Sequence, residues 1–196
     1  TYVDVIKILL GLSIIGSGSF LFVTLKKKYD TFSSLGGAVS FILSPYVFFD
    51  LYKRGSVGEL FAFLPVSMLL FGIMADVLWI IPIATALLIV SHNSLALLFM
   101  GVSLIFAAVS GKPWLYIKGM VIGIGMATFF WLPALYERQY VLFDSTRISD
   151  PLSYFVTMDN WQFLGAGVIA ALFILVSKTY TFNFFEKVSA VITLGS

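Results

Sequence analysis

The sequence predicts an all-α, polytopic transmembrane helix bundle with about seven membrane helices, and three observations lead to this prediction. Sixty percent of the residues are hydrophobic and only 11% are charged, whereas soluble domains carry roughly 25% charged residues. The mean hydropathy is +1.01. The apolar residues also fall into long runs that short polar segments separate. Hydrocarbon accepts apolar side chains on the outside of a helix whose backbone groups are bonded internally.

Polar or turn-forming residues bound each apolar run. The predicted helices cover residues 3–25, 35–49, 57–73, 77–91, 95–109, 115–135 and 162–176. They form one transmembrane domain over 1–177, with a polar loop at 136–161 and a polar segment at 178–196. The second and third helices are short and contain Pro45 and Pro65, so we expect them to form a short hairpin. Both chain ends lie in apolar sequence, which predicts a truncated piece of a longer membrane protein.

Small residues predict where helices pack closely, and one capping pattern predicts where a helix begins. Gly119 and Gly123 form a GxxxG pair that Gly125 extends, and we expect this surface to pack against another helix. Small residues around Gly16 give the first helix a similar surface. Ser56 has capping-box spacing to the glutamate three residues later, which predicts the start of the third helix.

The charges exclude several classes of protein and suggest an orientation. A net charge of +2 does not indicate a nucleic-acid partner, and with no cysteine and one histidine a zinc site of His and Cys is excluded. Of the 12 basic residues, seven fall in one set of loops and five in the other. By the positive-inside rule, the side of Lys26, Lys27 and Lys28 is cytoplasmic. The side of residues 50–59 and the 136–161 loop is then extracytoplasmic, and 178–196 is cytoplasmic.

The connection between the second and third helices carries both signs of charge: Asp50, Lys53, Arg54 and Glu59. Short helices place their connection below the membrane surface, where charges need partners. One interpretation is a polar pocket in which Arg54 and Lys53 hold an anion such as phosphate. The other is a self-neutralising interfacial loop in which Arg54 pairs with Asp50. The residues alone leave both open.

Two further polar segments fall on the same side of the membrane. His92 and Asn93 form a corner after an apolar run, either as a wet helix corner or as a base and phosphate donor facing the pocket. Glu137 and Arg138 follow Trp131, whose place fits an interfacial aromatic belt. Glu137 is either a carboxylate of the site or a solvated charge at a helix end. From the residues alone, the structural interpretation is favoured for both His92 and Glu137.

Three blocks of sequence together resemble a known family. They are Ser44-Pro45-Tyr46 with Asp50-Leu51-Tyr52, Arg54-Gly55 and Gly58-Glu59; Ser91-His92-Asn93; and Phe130-Trp131-Leu132-Pro133-Ala134-Leu135 followed by Glu137. In order and rough spacing they resemble the bacterial membrane proteins described as "6-pyruvoyl-tetrahydropterin synthase-related domain". That family is similar in hydropathy to multi-pass glycosyltransferases of the GT-C architecture.

The resemblance implies a membrane-embedded, glycosyltransferase-like protein of the bacterial plasma membrane. It would use a polyprenyl-phosphate-linked sugar for cell-envelope glycan modification, with the bilayer and other helices of the same full-length chain as partners. The resemblance singles out Asp50, Arg54, Glu59 and His92 and assigns them no roles. As our own hypothesis, we expect the catalytic residues to be Asp50, Glu59, His92 and Glu137, and the phosphate-binding residues to be Lys53, Arg54, Asn93 and Arg138. No cofactor is certain, although a hard cation such as Mg²⁺ or Mn²⁺ would suit oxygen ligands. The catalytic acidic loop of that architecture would precede Thr1.

Two alternatives remain. One is a polytopic transporter or flippase for lipid-linked or envelope substrates, with helices broken at Pro45 and Pro65 around intramembrane charges. The other is a non-catalytic membrane scaffold, for which charge-neutral substitutions in the polar segments would have no effect.

Overall fold

The computed structural model describes residues 1–140, and all regular structure in that range is helical. The α-helices are α1 (Tyr2–Leu25), α2 (Thr31–Ile42), α3 (Pro45–Phe49), α4 (Val57–Met74), α5 (Ile80–Ser91), α6 (Asn93–Val109), α7 (Pro113–Met126) and α8 (Thr128–Glu137). A π-helical turn, Asp50–Arg54, follows α3, and a 3-10 turn, Arg138–Tyr140, follows α8. The predicted helix at 162–176, the loop beyond 140 and the segment at 178–196 lie outside the described residues.

Three helical segments are long and apolar enough to cross a membrane: Tyr2–Leu25, Thr31–Arg54 and Val57–Met74. The pair α7 and α8 is a fourth if its bent halves count as one span, while α5 and α6 are apolar but shorter. The all-α class is therefore confirmed for residues 1–140, which include three segments long and apolar enough to span a membrane. The total of seven membrane helices stays a prediction.

The second predicted helix, 35–49, differs in the structure at both ends and in the middle. It begins earlier because the Asp30 carboxylate accepts the backbone N–H groups of Phe32 and Ser33. It breaks after Ile42, since Pro45 has no N–H to donate and Ser44 caps a new helix. Helical structure then continues through the π-helical turn, where the sequence predicted a charged loop.

The predicted helix at 115–135 is two helices, α7 and α8, bent by 62°. Such a break frees backbone carbonyl groups, which must find donors inside a membrane. The Thr128 hydroxyl donates to the Gly125 carbonyl at 2.7 Å, and the Trp131 indole N–H donates to the Ile124 carbonyl at 3.0 Å. Trp131 therefore fixes this bend, in addition to any interfacial role.

One expectation about α4 is confirmed and one is wrong. Ser56 is its N-cap residue, as predicted, although the Ser56 side chain makes no capping hydrogen bond. The expected break at Pro65 is absent, because α4 continues through this proline. Of the two prolines, Pro45 is the one at which a helix breaks.

Close packing joins α1 to α4, α4 to α5 and α5 to α7 around an apolar core. The GxxxG prediction is confirmed: Gly119 and Gly123 are buried, and a Cβ built on each would lie against Ile81 and Thr85 of α5. Gly125 does not extend this surface, since nothing lies within 4 Å of its Cβ position. Within α1, Gly16 faces Leu64 of α4 in the same close manner.

Opposite the α5–α6 corner, a polar contact joins the α4–α5 turn to the start of α7. The Asp76 carboxylate accepts hydrogen bonds from the Lys112 ammonium group and, at 3.1 Å, from the Tyr116 hydroxyl. Asp76 has φ of 60°, in the left-handed region that Asp and Asn tolerate better than most residues. The Lys112 hydrogen bond is the main reason why the pKa of Asp76 lies below its usual value of 3.8.

Gly123→Ala should destabilise the contact between α5 and α7. The new Cβ would lie 2.6 Å from the Pro82 carbonyl oxygen and 2.5 Å from the Thr85 Cβ, and overpacking of this kind costs about 1–3 kcal/mol. Unfolding of the variant in detergent micelles measures the loss. Gly125→Ala is the matched control, because it enters open space and gains helix propensity. Equal stability of the two variants would contradict the packing described for α5 and α7.

Asp76→Asn should remove part of the dependence of stability on pH. Because the pKa of Asp76 is lowered in the folded chain, its carboxylate stabilises the fold at neutral pH, and this contribution is lost as pH falls through the lowered pKa. The difference in unfolding midpoint between the wild type and Asp76→Asn should therefore shrink on acidification from about pH 7 to about pH 3. Asparagine also tolerates the positive φ. A difference that is constant over this range would show that the carboxylate charge does not stabilise the turn.

Candidate functional site

Three charged residues, Asp50, Arg54 and Glu59, converge with His92 where the π-helical turn, the start of α4 and the α5–α6 corner meet. The restart of the helix at Pro45 directs the chain into the π-helical turn, whose last residue is Arg54. Gly55 then reverses the chain with φ of 63°, a conformation that glycine adopts without strain. The chain enters α4 within two residues, which brings Glu59 back beside Arg54.

Arg54 and Glu59 form a bidentate ion pair. The two terminal nitrogens of the guanidinium group each donate to a different carboxylate oxygen, both at 2.8 Å. Glu59 is 5% exposed, whereas 44% of the Arg54 side chain is exposed. The Tyr46 hydroxyl donates a further hydrogen bond, at 2.7 Å, to Glu59 Oε2. Glu59 is therefore a carboxylate whose two oxygens are both occupied as acceptors.

Asp50 lies beside this pair in a different environment. Its side chain is fully buried, and its Oδ1 lies 3.4 Å from Nη1 of Arg54, the nitrogen that donates to Glu59. Neither Asp50 oxygen makes a hydrogen bond within the part of the chain that the structure describes. The Glu59 carboxyl is its other electrostatic neighbour. Asp50 is therefore an acid without a full partner in apolar surroundings.

His92 completes the cluster from the α5–α6 corner. Its Nδ1 caps α6 by accepting the Leu95 backbone N–H at 3.3 Å, and its Nε2 lies 3.6 Å from Glu59 Oε1. An acceptor at Nδ1 places the ring proton on Nε2, directed toward Glu59, in a neutral imidazole. Gly58 permits this approach, because a Cβ there would lie 2.7 Å from the Ser91 carbonyl oxygen.

A cleft of about 520 Å³ opens on the other side of the same corner. Its lining combines aromatic and aliphatic side chains with one amide and one cation: Phe130, Trp131, Ala134, Leu135, Asn93 and Arg138. Asn93 directly follows His92, so adjacent residues of the α5–α6 corner belong to the cleft and to the cluster. The bend between α7 and α8 is what brings the α8 residues to Asn93, because it turns α8 away from the axis of α7.

The structure brings together most of the residues that the sequence singled out, in two groups. Asp50, Arg54, Glu59 and His92 form the buried cluster, and Asn93 and Arg138 line the cleft. Lys53 and Glu137 are exposed and belong to neither group. The predicted pairing of Arg54 with Asp50 is present at 3.4 Å, but Glu59 is the closer partner at 2.8 Å, which the sequence did not indicate. Anion binding by Arg54 and Lys53 stays a prediction.

Sequence reasoning missed Tyr46 as a member of the cluster. Tyr46 stands in a short segment after Ser44-Pro45, where a helix restarts, and its hydroxyl reaches Glu59 from 13 residues away in the chain. A tyrosine hydroxyl in an apolar segment that is expected inside a membrane needs a hydrogen-bond partner, and this requirement is the signal that the sequence offers. The separation of 13 residues between Tyr46 and Glu59 does not match any helical repeat that would predict their contact.

The cluster does not have the composition of a metal site. Within residues 1–140, no group of three His, Cys, Asp or Glu side chains is placed to hold a metal ion. The guanidinium group of Arg54 occupies the carboxylate oxygens that would face a cation. The described residues therefore give no support to the expected Mg²⁺ or Mn²⁺.

No protein-family model, curated protein or solved structure matches this chain. The resemblance stated for the three sequence blocks therefore stays a prediction. Any functional assignment depends on the geometry of the cluster and the cleft.

Arg54→Met should destabilise the chain because it leaves buried Glu59 without its counter-ion. Removing one partner of a buried pair costs about 3–5 kcal/mol, and we expect about 3 kcal/mol because Arg54 is half exposed. Equilibrium unfolding in detergent micelles measures the loss. The double variant Arg54→Met/Glu59→Met should recover much of it, and Lys53→Met should change stability by less than about 0.5 kcal/mol. A double variant as unstable as Arg54→Met would contradict the pairing.

Proposed function

We propose that this chain is the membrane-embedded part of a glycosyltransferase-like protein that binds a polyprenyl-phosphate-linked sugar for cell-envelope glycan modification. The observation that carries the proposal is the cleft between the α5–α6 corner and α8. It combines an apolar, aromatic wall with Asn93 and Arg138. In the proposal this end of the molecule faces the extracytoplasmic side of a bacterial plasma membrane.

The chemistry of the cleft fits the head of a phosphorylated isoprenoid lipid. The guanidinium group of Arg138 has the planar fork of donors that binds phosphate oxygens, and the Asn93 amide supplies a further donor. Phe130, Trp131 and Leu135 offer an apolar surface to the first isoprene units. The volume, about 520 Å³, lies within the roughly 300–1,000 Å³ of ordinary ligand pockets.

The geometry changes which residues hold the phosphate in this proposal. Arg54 is engaged with two carboxyl groups, so its role is to hold Glu59 as an anion inside the bundle. Arg138 and Asn93 take over the contact with the lipid phosphate. Asp50, Glu59 and His92 then form an acid–base cluster beside the bound head group, within the proposed catalytic set.

A transporter or flippase for lipid-linked substrates is the second candidate, and one observation favours it. The span Thr31–Arg54 is discontinuous at Ser44–Pro45 and ends in a π-helical turn beside the charged cluster. Discontinuous helices beside intramembrane charges are typical of transporter binding sites. The two candidates share the lipid and differ in what happens to it. Full-length protein in proteoliposomes should transfer sugar to an acceptor in the first case, and should move the intact labelled lipid between leaflets in the second.

Arg138→Gln should weaken binding of a polyprenyl phosphate to full-length protein in nanodiscs by about 10- to 100-fold. This range corresponds to the roughly 1.5–3 kcal/mol of a hydrogen bond to a charged group. Binding is measured by quenching of tryptophan fluorescence, since Trp131 lines the cleft. Lys118→Gln makes the same change of charge on α7, outside the cleft lining, and should bind as the wild type does.

The matching unphosphorylated polyprenol separates phosphate recognition from recognition of the apolar chain. Its affinity should be the same for the wild type and Arg138→Gln, because the substitution removes a phosphate contact alone. Wild-type affinity of Arg138→Gln for the phosphorylated lipid would refute the assignment of the cleft.

A further inference from the structure

The charges of the buried cluster do not balance when every acid in it is ionised. Asp50 and Glu59 contribute two negative charges, and Arg54 contributes one positive charge. His92 adds none, because its Nδ1 accepts the Leu95 N–H and its ring is therefore neutral. Tyr46 enters as a neutral hydroxyl donor. One negative charge remains in apolar surroundings, where an uncompensated charge is strongly disfavoured.

The excess charge is located at Asp50. Glu59 accepts three hydrogen bonds, two from Arg54 and one from Tyr46, so its anionic form is well stabilised. Asp50 is fully buried and accepts no hydrogen bond from any residue in the range 1–140. Its contact with the guanidinium group is longer, at 3.4 Å. Of the two acids, Asp50 is the one whose surroundings favour the neutral form.

A proton shared between the two carboxyl groups would give Asp50 the hydrogen bond that it lacks. The Asp50 and Glu59 carboxyl groups both approach Nη1 of Arg54, at 3.4 Å and 2.8 Å, and two carboxylates have no donor between them. A proton on Asp50 creates a donor that can bond to Glu59, as in other pairs of carboxyl groups that share one proton. The same proton makes the whole cluster electrically neutral.

We propose that Asp50 and Glu59 together bind one exchangeable proton, carried on Asp50, so that the cluster is a proton-binding site at this end of the helix bundle. The inference does not depend on the proposed function, because it follows from burial, hydrogen bonding and charge alone. In functional terms, the cluster would store a proton beside the α5–α6 corner. His92 is the member of the cluster that belongs to this corner, with its Nε2 3.6 Å from Glu59 and 28% of its side chain exposed.

Infrared spectroscopy of full-length protein reconstituted in lipid tests the proposal directly. At neutral pH the wild type should show the C=O stretch of a protonated carboxylic acid, and the band should shift when the solvent is exchanged for D₂O. Asp50→Asn should abolish the band. Asp76→Asn should retain it, because Asp76 is ionised in its pair with Lys112. A band that persists in Asp50→Asn would refute the assignment.

Isotope labelling keeps the test valid if Asp50→Asn does not fold. In wild-type protein, aspartate labelled with ¹³C at the carboxyl group should move the band, whereas labelled glutamate should leave it in place. The opposite result would put the proton on Glu59. Absence of any acid band in the wild type would show that the cluster carries no proton.

Thermal unfolding in detergent tests which of the two acids, Asp50 or Glu59, is ionised, through the unfolding midpoints of their amide variants. Asp50→Asn replaces a neutral acid by a neutral amide and should shift the unfolding midpoint little. Glu59→Gln removes the anion that Arg54 requires and should lower the midpoint markedly. Equal losses in the two variants would indicate that Asp50 is ionised. Stabilisation of the wild type by sodium chloride but not choline chloride, lost in Asp50→Asn, would mean that the site binds Na⁺ and would overturn the proposal.

Discussion

The ion pair between Arg54 and Glu59 is the interaction on which this end of the molecule depends. Arg54 ends one apolar helical segment long enough to span a membrane, and Glu59 lies near the start of the next, where a buried charge without a partner is costly. Pairing in bidentate geometry with a third donor from Tyr46 removes most of that cost. Asp50 and His92 lie beside the pair: Asp50 contacts the Arg54 guanidinium group, and the His92 ring faces the Glu59 carboxylate.

The backbone around the pair serves to bring its partners into contact. Pro45 and Ser44 end one helix and begin another, the π-helical turn places Arg54, and Gly55 turns the chain into α4. Gly58 then allows the α5–α6 corner to come close enough for His92 to face Glu59. Local departures from regular α-helix are therefore concentrated at the site, while α1, the rest of α4 and α5 pack regularly.

Much of the candidate site could be predicted from sequence, because charges are rare in this chain and each one in an apolar context needs an explanation. Asp50, Arg54, Glu59 and His92 were all named, and the alternation of apolar runs placed them at one end of the helices. Their pairing could not be predicted. Arg54 has Asp50 and Glu59 at similar distances in sequence, and the π-helical turn with Gly55 decides that Glu59 receives the close bidentate contact.

Hydropathy alone predicts an all-α membrane protein, because hydrophobic runs of this length favour a lipid environment whatever their packing, and residues 1–140 are helical with three segments long and apolar enough to span a membrane. The packing role of Gly119 and Gly123 can also be read from the sequence, because small residues one turn apart permit close helix contact. The bend between α7 and α8 is held by hydrogen bonds within the bent segment, but the continuous apolar run there does not reveal the break. The cleft that contains Arg138 and the contact of Tyr46 with Glu59 are visible in the tertiary structure only, because they join separate segments of the chain and local sequence patterns carry no information about such contacts.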